Sequence, residues 1–216
     1  MIVVDIVIRF LLTMLLLLNF SALASSRMKA VIRLTAMQGV VLACLLLAVH
    51  HNFGFNIILM CALTISIKSL LIPYLLRRAM REVNIRREVE PLLGYVPSLV
   101  LGGVGTAFAF YFSKTLPLTG LYPYSMIPAT SFSTIFVGFL FLTTRTKAIS
   151  QVLGYLILEN GIFVFGLLLV GQIPFLVEIG ALLDLFVAVF VMGIILNHIQ
   201  RTFSSIDTNR LSELKE

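Results

Sequence analysis

Three ionisable side chains stand deep inside apolar runs. Glu159 lies in Leu156-Ile157-Leu158-Glu159-Asn160-Gly161, Asp184 in Ala181-Leu182-Leu183-Asp184-Leu185-Phe186, and Lys68 in Ile65-Ser66-Ile67-Lys68-Ser69. A charge held at the centre of a bilayer costs at least about 3 kcal/mol, so such residues are functional candidates by default. The chemistry open to them is proton transfer, because a carboxyl in apolar surroundings keeps its proton more readily than one in water. The ordinary alternatives are a protonated carboxyl hydrogen-bonded to a neighbouring helix and, for Lys68, a side chain that snorkels to the membrane surface.

Weaker candidates sit near helix ends. Glu178 follows Pro174 by one turn, where a proline and an acid are common helix-start residues. His198 falls at the other end of the same run, where an interfacial position accounts for it. His50 and His51 have no third ligand nearby, so no metal site is predicted. Cys44 and Cys61 lack metal-ligand spacing and suit small apolar core positions. No Ser/His/Asp arrangement, zinc signature or phosphate-binding glycine loop occurs, so no catalytic residue, metal or cofactor is expected in this chain.

The elements that must position these groups follow from composition. Of 216 residues, 59% are hydrophobic and 12% charged, and the mean hydropathy is +1.05. One small soluble domain cannot hide that excess. Continuous apolar runs exclude a membrane β-barrel, which alternates. The chain is predicted to be an all-α polytopic membrane bundle of seven transmembrane helices, at about 2–24, 30–49, 54–76, 92–112, 123–143, 148–170 and 174–199. Residues 1–203 would form one transmembrane domain and 204–216 a cytoplasmic tail. There Thr208 can cap a short helix bearing Leu211 and Leu214 that docks on a partner.

Charge sets the orientation. Loops one, three and five plus the tail hold thirteen Lys and Arg residues, counting Arg33, against one in the other loops. Lysine and arginine collect on the cytoplasmic side, which predicts the N-terminus outside and the C-terminus inside. The net charge of +6 is thereby a matter of topology, with lipid and no nucleic acid as the expected surroundings. Residues 1–25 imitate a secretory signal, but Arg27, Lys29 and Arg33 follow the span, so an uncleaved first helix is expected. Asp5 and Arg9 stand at i and i+4 and can pair.

Depth ties the carboxyls together. Glu159 is eleven residues before Val170, roughly 16 Å from that end, and Asp184 is ten residues after Pro174, roughly 15 Å. The two helices run antiparallel across a short turn, so both carboxyls reach nearly the same level. Lys68 is roughly 21 Å past Gly54, and Pro73 leaves the Ser69 carbonyl without its helical donor and kinks the helix beside it. Gly102, Gly103 and Gly105 mark close helix packing.

These residues also carry a resemblance. Gly154-Tyr155-Leu156-Ile157-Leu158-Glu159-Asn160-Gly161, then Leu176-Val177-Glu178-Ile179-Gly180 and Asp184, resemble the E component of hydrogenase-4-type membrane complexes. So do the Lys68–Pro73 stretch and the tail from Ile206 to Lys215. Residues 148–199 are similar to the K subunit of complex I and the C subunit of multisubunit sodium/proton antiporters, where two buried carboxylates occupy adjacent helices. Glu159 falls on the first position and Asp184 on the second, where the K subunit has glutamate. The resemblance implies a non-catalytic membrane-arm subunit of a complex I-like, formate hydrogenlyase-type hydrogenase in a bacterial or archaeal cell membrane. Its implied partners are antiporter-like and other membrane subunits and the hydrogenase peripheral arm, which holds the metal centres. Glu159, Asp184 and Lys68 would carry part of a proton path, with Glu178 and His198 as further members. Two rival functions are an antiporter subunit exchanging sodium for protons and a purely structural assembly subunit.

Overall fold

The computed structural model of the chain describes residues 2–49, 55–82, 92–116 and 126–168, together with residues 180, 184, 186, 187, 189–191 and 193. Every regular element among them is helical: α1 (Ile2–Ala24), α2 (Met28–Val49), α3 (Phe55–Thr64), a π-helical turn π1 (Ile65–Leu71), α4 (Ile72–Glu82), α5 (Tyr95–Thr115), α6 (Met126–Thr144) and α7 (Ala148–Gly166). Apolar runs without water must satisfy their backbone within the segment, and a helix does so. Since α3, π1 and α4 are continuous, six helices among the described residues are long and apolar enough to cross a membrane. The seventh predicted span, 174–199, falls largely outside the described residues; the eight of its residues that are described are helical.

Two boundaries differ from the sequence expectation for physical reasons. The third span runs on to Glu82 instead of ending at 76. Its last part is amphipathic: Ile72, Leu76, Ala79 and Met80 are buried while Arg77, Arg78 and Arg81 face outward, so the basic cluster begins on a helix and not in a loop. α5 starts at Tyr95 and not at 92, because Gly94 caps it with an extended backbone (φ −54°, ψ 164°), and the Leu92 amide before it donates to the Thr144 carbonyl at 2.8 Å. Pro97 then falls in the first turn, where its missing N–H costs nothing.

The helices pack through small residues, as bilayer bundles do. A Cβ on Gly138 would lie 2.5 Å from the Leu158 amide nitrogen, and one on Gly161 would lie 2.7 Å from that of Ile135. The backbones of α6 and α7 therefore touch. In α5, a Cβ on Gly102 or Gly105 would strike Leu23 or Phe136, as the expected close packing requires, whereas Gly103 faces open space. Cys61 is buried as predicted, but Cys44 lies on the outer surface, and both are free thiols.

Burial divides the interior into two apolar clusters. One gathers Leu23, Met28, Ile32, Ile72, Leu76, Phe141, Leu153 and Val187. The other gathers Leu12, Leu15, Leu42, Leu46, Cys61, Ile127 and Phe163. Between them, on each of α1, α2, the α3–π1–α4 span, α6 and α7, sits a buried polar residue: Asn19, Gln38, Lys68, Thr134, Glu159 with Asn160. Asp184 is buried at the same level on the last segment.

Candidate functional site

Lys68 reaches this layer because of π1. Proline at 73 cannot donate to the Ser69 carbonyl, so the helix before it widens, and the Ile72 amide bonds back five residues to Ile67. A π turn inserts a residue and re-aims the side chains it carries, and such turns recur at functional sites. The kink expected from Pro73 thus takes the form of a π turn. Gly39 on α2 lets that turn approach: a Cβ there would lie 2.7 Å from Ser69 Oγ and 3.0 Å from Lys68 Cβ. Lys68 is 8% exposed and does not snorkel.

The Lys68 ammonium donates to Glu159 Oε1 at 2.5 Å and to Asn160 Oδ1 at 3.4 Å, and it stands 3.6 Å from Asp184 Oδ1. An ammonium has three protons, and the pocket offers three oxygens. Glu159 and Asp184 are 2% and 3% exposed. Glu159 Oε2 and Asp184 Oδ1 have no hydrogen-bond partner among the described residues. Gly180 crosses close to Glu159: a Cβ there would lie 3.8 Å from Glu159 Oε1.

On its other side, the ammonium begins a chain of side-chain amides. Asn160 Nδ2 donates to Gln38 Oε1 at 3.1 Å, Gln38 Nε2 to Asn19 Oδ1 at 2.8 Å, and Asn19 Nδ2 to Thr134 Oγ1 at 2.8 Å. Thr134 closes the chain by donating to the Thr130 carbonyl at 2.8 Å. Every donor points away from Lys68, so every oxygen points back toward the positive charge. Small cavities flank the lysine. One of about 30 Å³ is lined by Thr64, Phe163, Gly180 and Asp184 among others, and one of about 10 Å³ lies against Thr35, Pro73 and Asn160. A polar cavity of roughly 10–15 Å³ or more can hold a water molecule.

Of the predicted site residues, the structure brings Glu159, Asp184 and Lys68 together, with both carboxyls within ion-pair distance of the one ammonium. Glu178 and His198 lie outside the described residues, as do His50, His51 and the 204–216 tail. Asp5 and Arg9 pair at 3.0 Å on α1. The first helix is integral to the bundle, since Asn19 links Gln38 to Thr134.

The amides Asn160, Gln38 and Asn19 were not singled out by charge-based reasoning. Their signal is present in the sequence as one polar residue per apolar helix. Arg145, counted as a loop charge, is 1% exposed. Its guanidinium lies 5.4 Å from the Tyr95 ring and 5.0 Å from the Phe141 ring, and its Nη2 donates to the Leu23 carbonyl at 3.3 Å. Burial lowers its pKa from the ordinary arginine value, with Tyr95 acting in the opposite direction. It ties together the ends of α1 and α6 and the start of α5.

The chain is 35% identical over 197 residues to an uncharacterised protein of Mycobacterium tuberculosis, Rv0085, spanning 88% of this chain and 87% of that one. The chain belongs to the family of that mycobacterial protein. It is also similar to hydrogenase-4 component E of Escherichia coli, at 29% identity over 151 residues, 68% of each chain. Component E of Shigella flexneri stands at the same identity and coverage. No family model and no solved structure matches the chain.

Proposed function

We propose that this chain is a non-catalytic membrane-arm subunit of a complex I-like, membrane-bound hydrogenase of formate hydrogenlyase type, and that it contributes to a proton translocation path. Its similarity to hydrogenase-4 component E and its six apolar helices support a membrane subunit of a larger assembly. The positive-inside distribution supports an outside N-terminus and a cytoplasmic C-terminus in the cell membrane. Antiporter-like membrane subunits and the peripheral hydrogenase arm are its proposed partners.

The observation that carries the proton role is one buried ammonium shared by two carboxyls, Glu159 and Asp184. One ionised carboxylate neutralises Lys68. The other is then free to accept and release a proton, and a charge change in a neighbouring subunit shifts that exchange. Glu159→Gln keeps size and hydrogen bonding but removes the exchangeable proton. The expected outcome is intact assembly and hydrogen chemistry in the partner subunits with reduced proton movement in vesicles. Unchanged pumping refutes the role of Glu159.

A further inference from the structure

We infer that Lys68 is the specificity-determining residue of this site: its ammonium fills the position between Glu159 and Asp184 that an alkali cation would need, and restricts the site to protons. The inference rests on the proton-path proposal and names the ion that the same site takes.

Two buried carboxylates with an amide oxygen and a threonine hydroxyl nearby are a donor set for a hard cation. Glu159 Oε2 and Asp184 Oδ1 have no hydrogen-bond partner among the described residues, and the cavity of about 30 Å³ lies against Asp184 and Thr64. By donor chemistry and space alone, sodium would fit. The obstacle is Lys68, already bound at 2.5 Å to Glu159 and 3.6 Å from Asp184. A second cation within about 4 Å of the ammonium meets repulsion that weakens its binding on the order of a thousandfold at an effective dielectric constant of 20.

The ammonium is also held against displacement. Asn160 accepts from it, and the amides of Asn160, Gln38 and Asn19 line up with their oxygens toward Lys68. Gly39 packs close against the base of the lysine on the same side, where a Cβ would lie 3.0 Å from Lys68 Cβ. A proton needs neither space nor ligands of its own beyond a carboxylate oxygen, so it alone passes this filter.

The test uses the full chain in lipid nanodiscs at alkaline pH. Thermal stability is compared in sodium chloride and in choline chloride at equal ionic strength, because a ligand bound only to the folded state raises the melting temperature. The wild type is expected to show no sodium-specific shift. Lys68→Met removes the charge while keeping the stem, and sodium affinity is expected to rise on the order of a thousandfold, giving a sodium-specific rise in Tm. Lys68→Gln, which retains a polar end against Glu159 and Asn160, serves if the methionine variant does not fold.

A sodium-specific shift in the wild type overturns the inference, and so does a folded variant without one. Failure of both variants to fold also overturns it, by making the ammonium a structural necessity instead of an ion filter. The measurement needs no partner subunit and reads no proton flux. Its failure would therefore leave the membrane-arm proposal standing, with sodium as the ion where the wild type shows the shift, whereas unchanged pumping in Glu159→Gln would remove that proposal's proton role.

Discussion

Replacing Gln38 with leucine tests whether the amide chain acts as a unit. Gln38 is fully buried, accepts from Asn160 at 3.1 Å and donates to Asn19 at 2.8 Å. Leucine is of similar size, so packing changes little, but two interhelical hydrogen bonds disappear. Such bonds contribute roughly 0.6–2 kcal/mol each in a bilayer. The partners left without a bond, an Asn160 N–H and the Asn19 oxygen, each cost about 1–3 kcal/mol. The expected destabilisation is about 2–5 kcal/mol. Asn19→Leu breaks the bonds to Gln38 and Thr134 and is expected to cost a similar amount. In the double variant the Gln38–Asn19 bond is lost once, and neither residue remains to be orphaned by the other. The double cost should therefore fall short of the sum by roughly 1–3 kcal/mol. Unfolding of the full chain in mixed lipid–detergent micelles, followed by circular dichroism, supplies the four free energies. Additivity within about 0.5 kcal/mol would refute the chain as a coupled unit and reduce it to independent contacts.

Further outcomes follow from packing. Gly161→Ala pushes a methyl into the α6 backbone at 2.7 Å, which cannot yield as a side chain can, and should cost about 1–3 kcal/mol in the same unfolding assay. Gly103→Ala meets nothing within 4 Å and should be neutral or stabilising by up to about 1 kcal/mol. Arg145→Lys loses the flat cation lying over Tyr95 and Phe141. It should destabilise by about 1–3 kcal/mol despite the conserved charge, and a melting temperature equal to wild type would contradict the stacking role.

The spans were legible because bilayer-facing apolar runs are the strongest pattern a chain can carry, and α1 was placed to the residue. The meeting of Glu159 and Asp184 was also legible: their sequence distances from the predicted 171–173 turn are nearly equal, and the structure brings both carboxyls to one ammonium. That Lys68 would join them was only half visible. Pro73 announced a disturbed helix, but the direction in which a π turn aims a side chain depends on which backbone bonds reform, here Ile72 to Ile67, and on the absence of a side chain at Gly39 one helix away. The amides were overlooked because they bear no charge, although in hydrocarbon an unpaired amide is costly enough to need partners. Arg145 lies in the predicted loop between α6 and α7, but its burial was not legible, for the opposite reason. Its charge suggested solvent, while the rings of Tyr95 and Phe141, distant in sequence from Leu23, offered a buried seat that no local pattern reveals.

Glu159 and Asn160 are consecutive residues of α7, and α7 is seated backbone to backbone on α6 at Gly138, Gly154 and Gly161. Two of the three legs that hold the ammonium therefore belong to one stiff block. The third, Asp184, hangs from a separate segment and is already the longest at 3.6 Å. A displacement of Asp184 relative to that block would change the length of this leg first. The site is thus mechanically a tripod with one separately mounted foot: a push on the outward-facing Phe186, Val189 and Phe190 would bear first on the Asp184 leg.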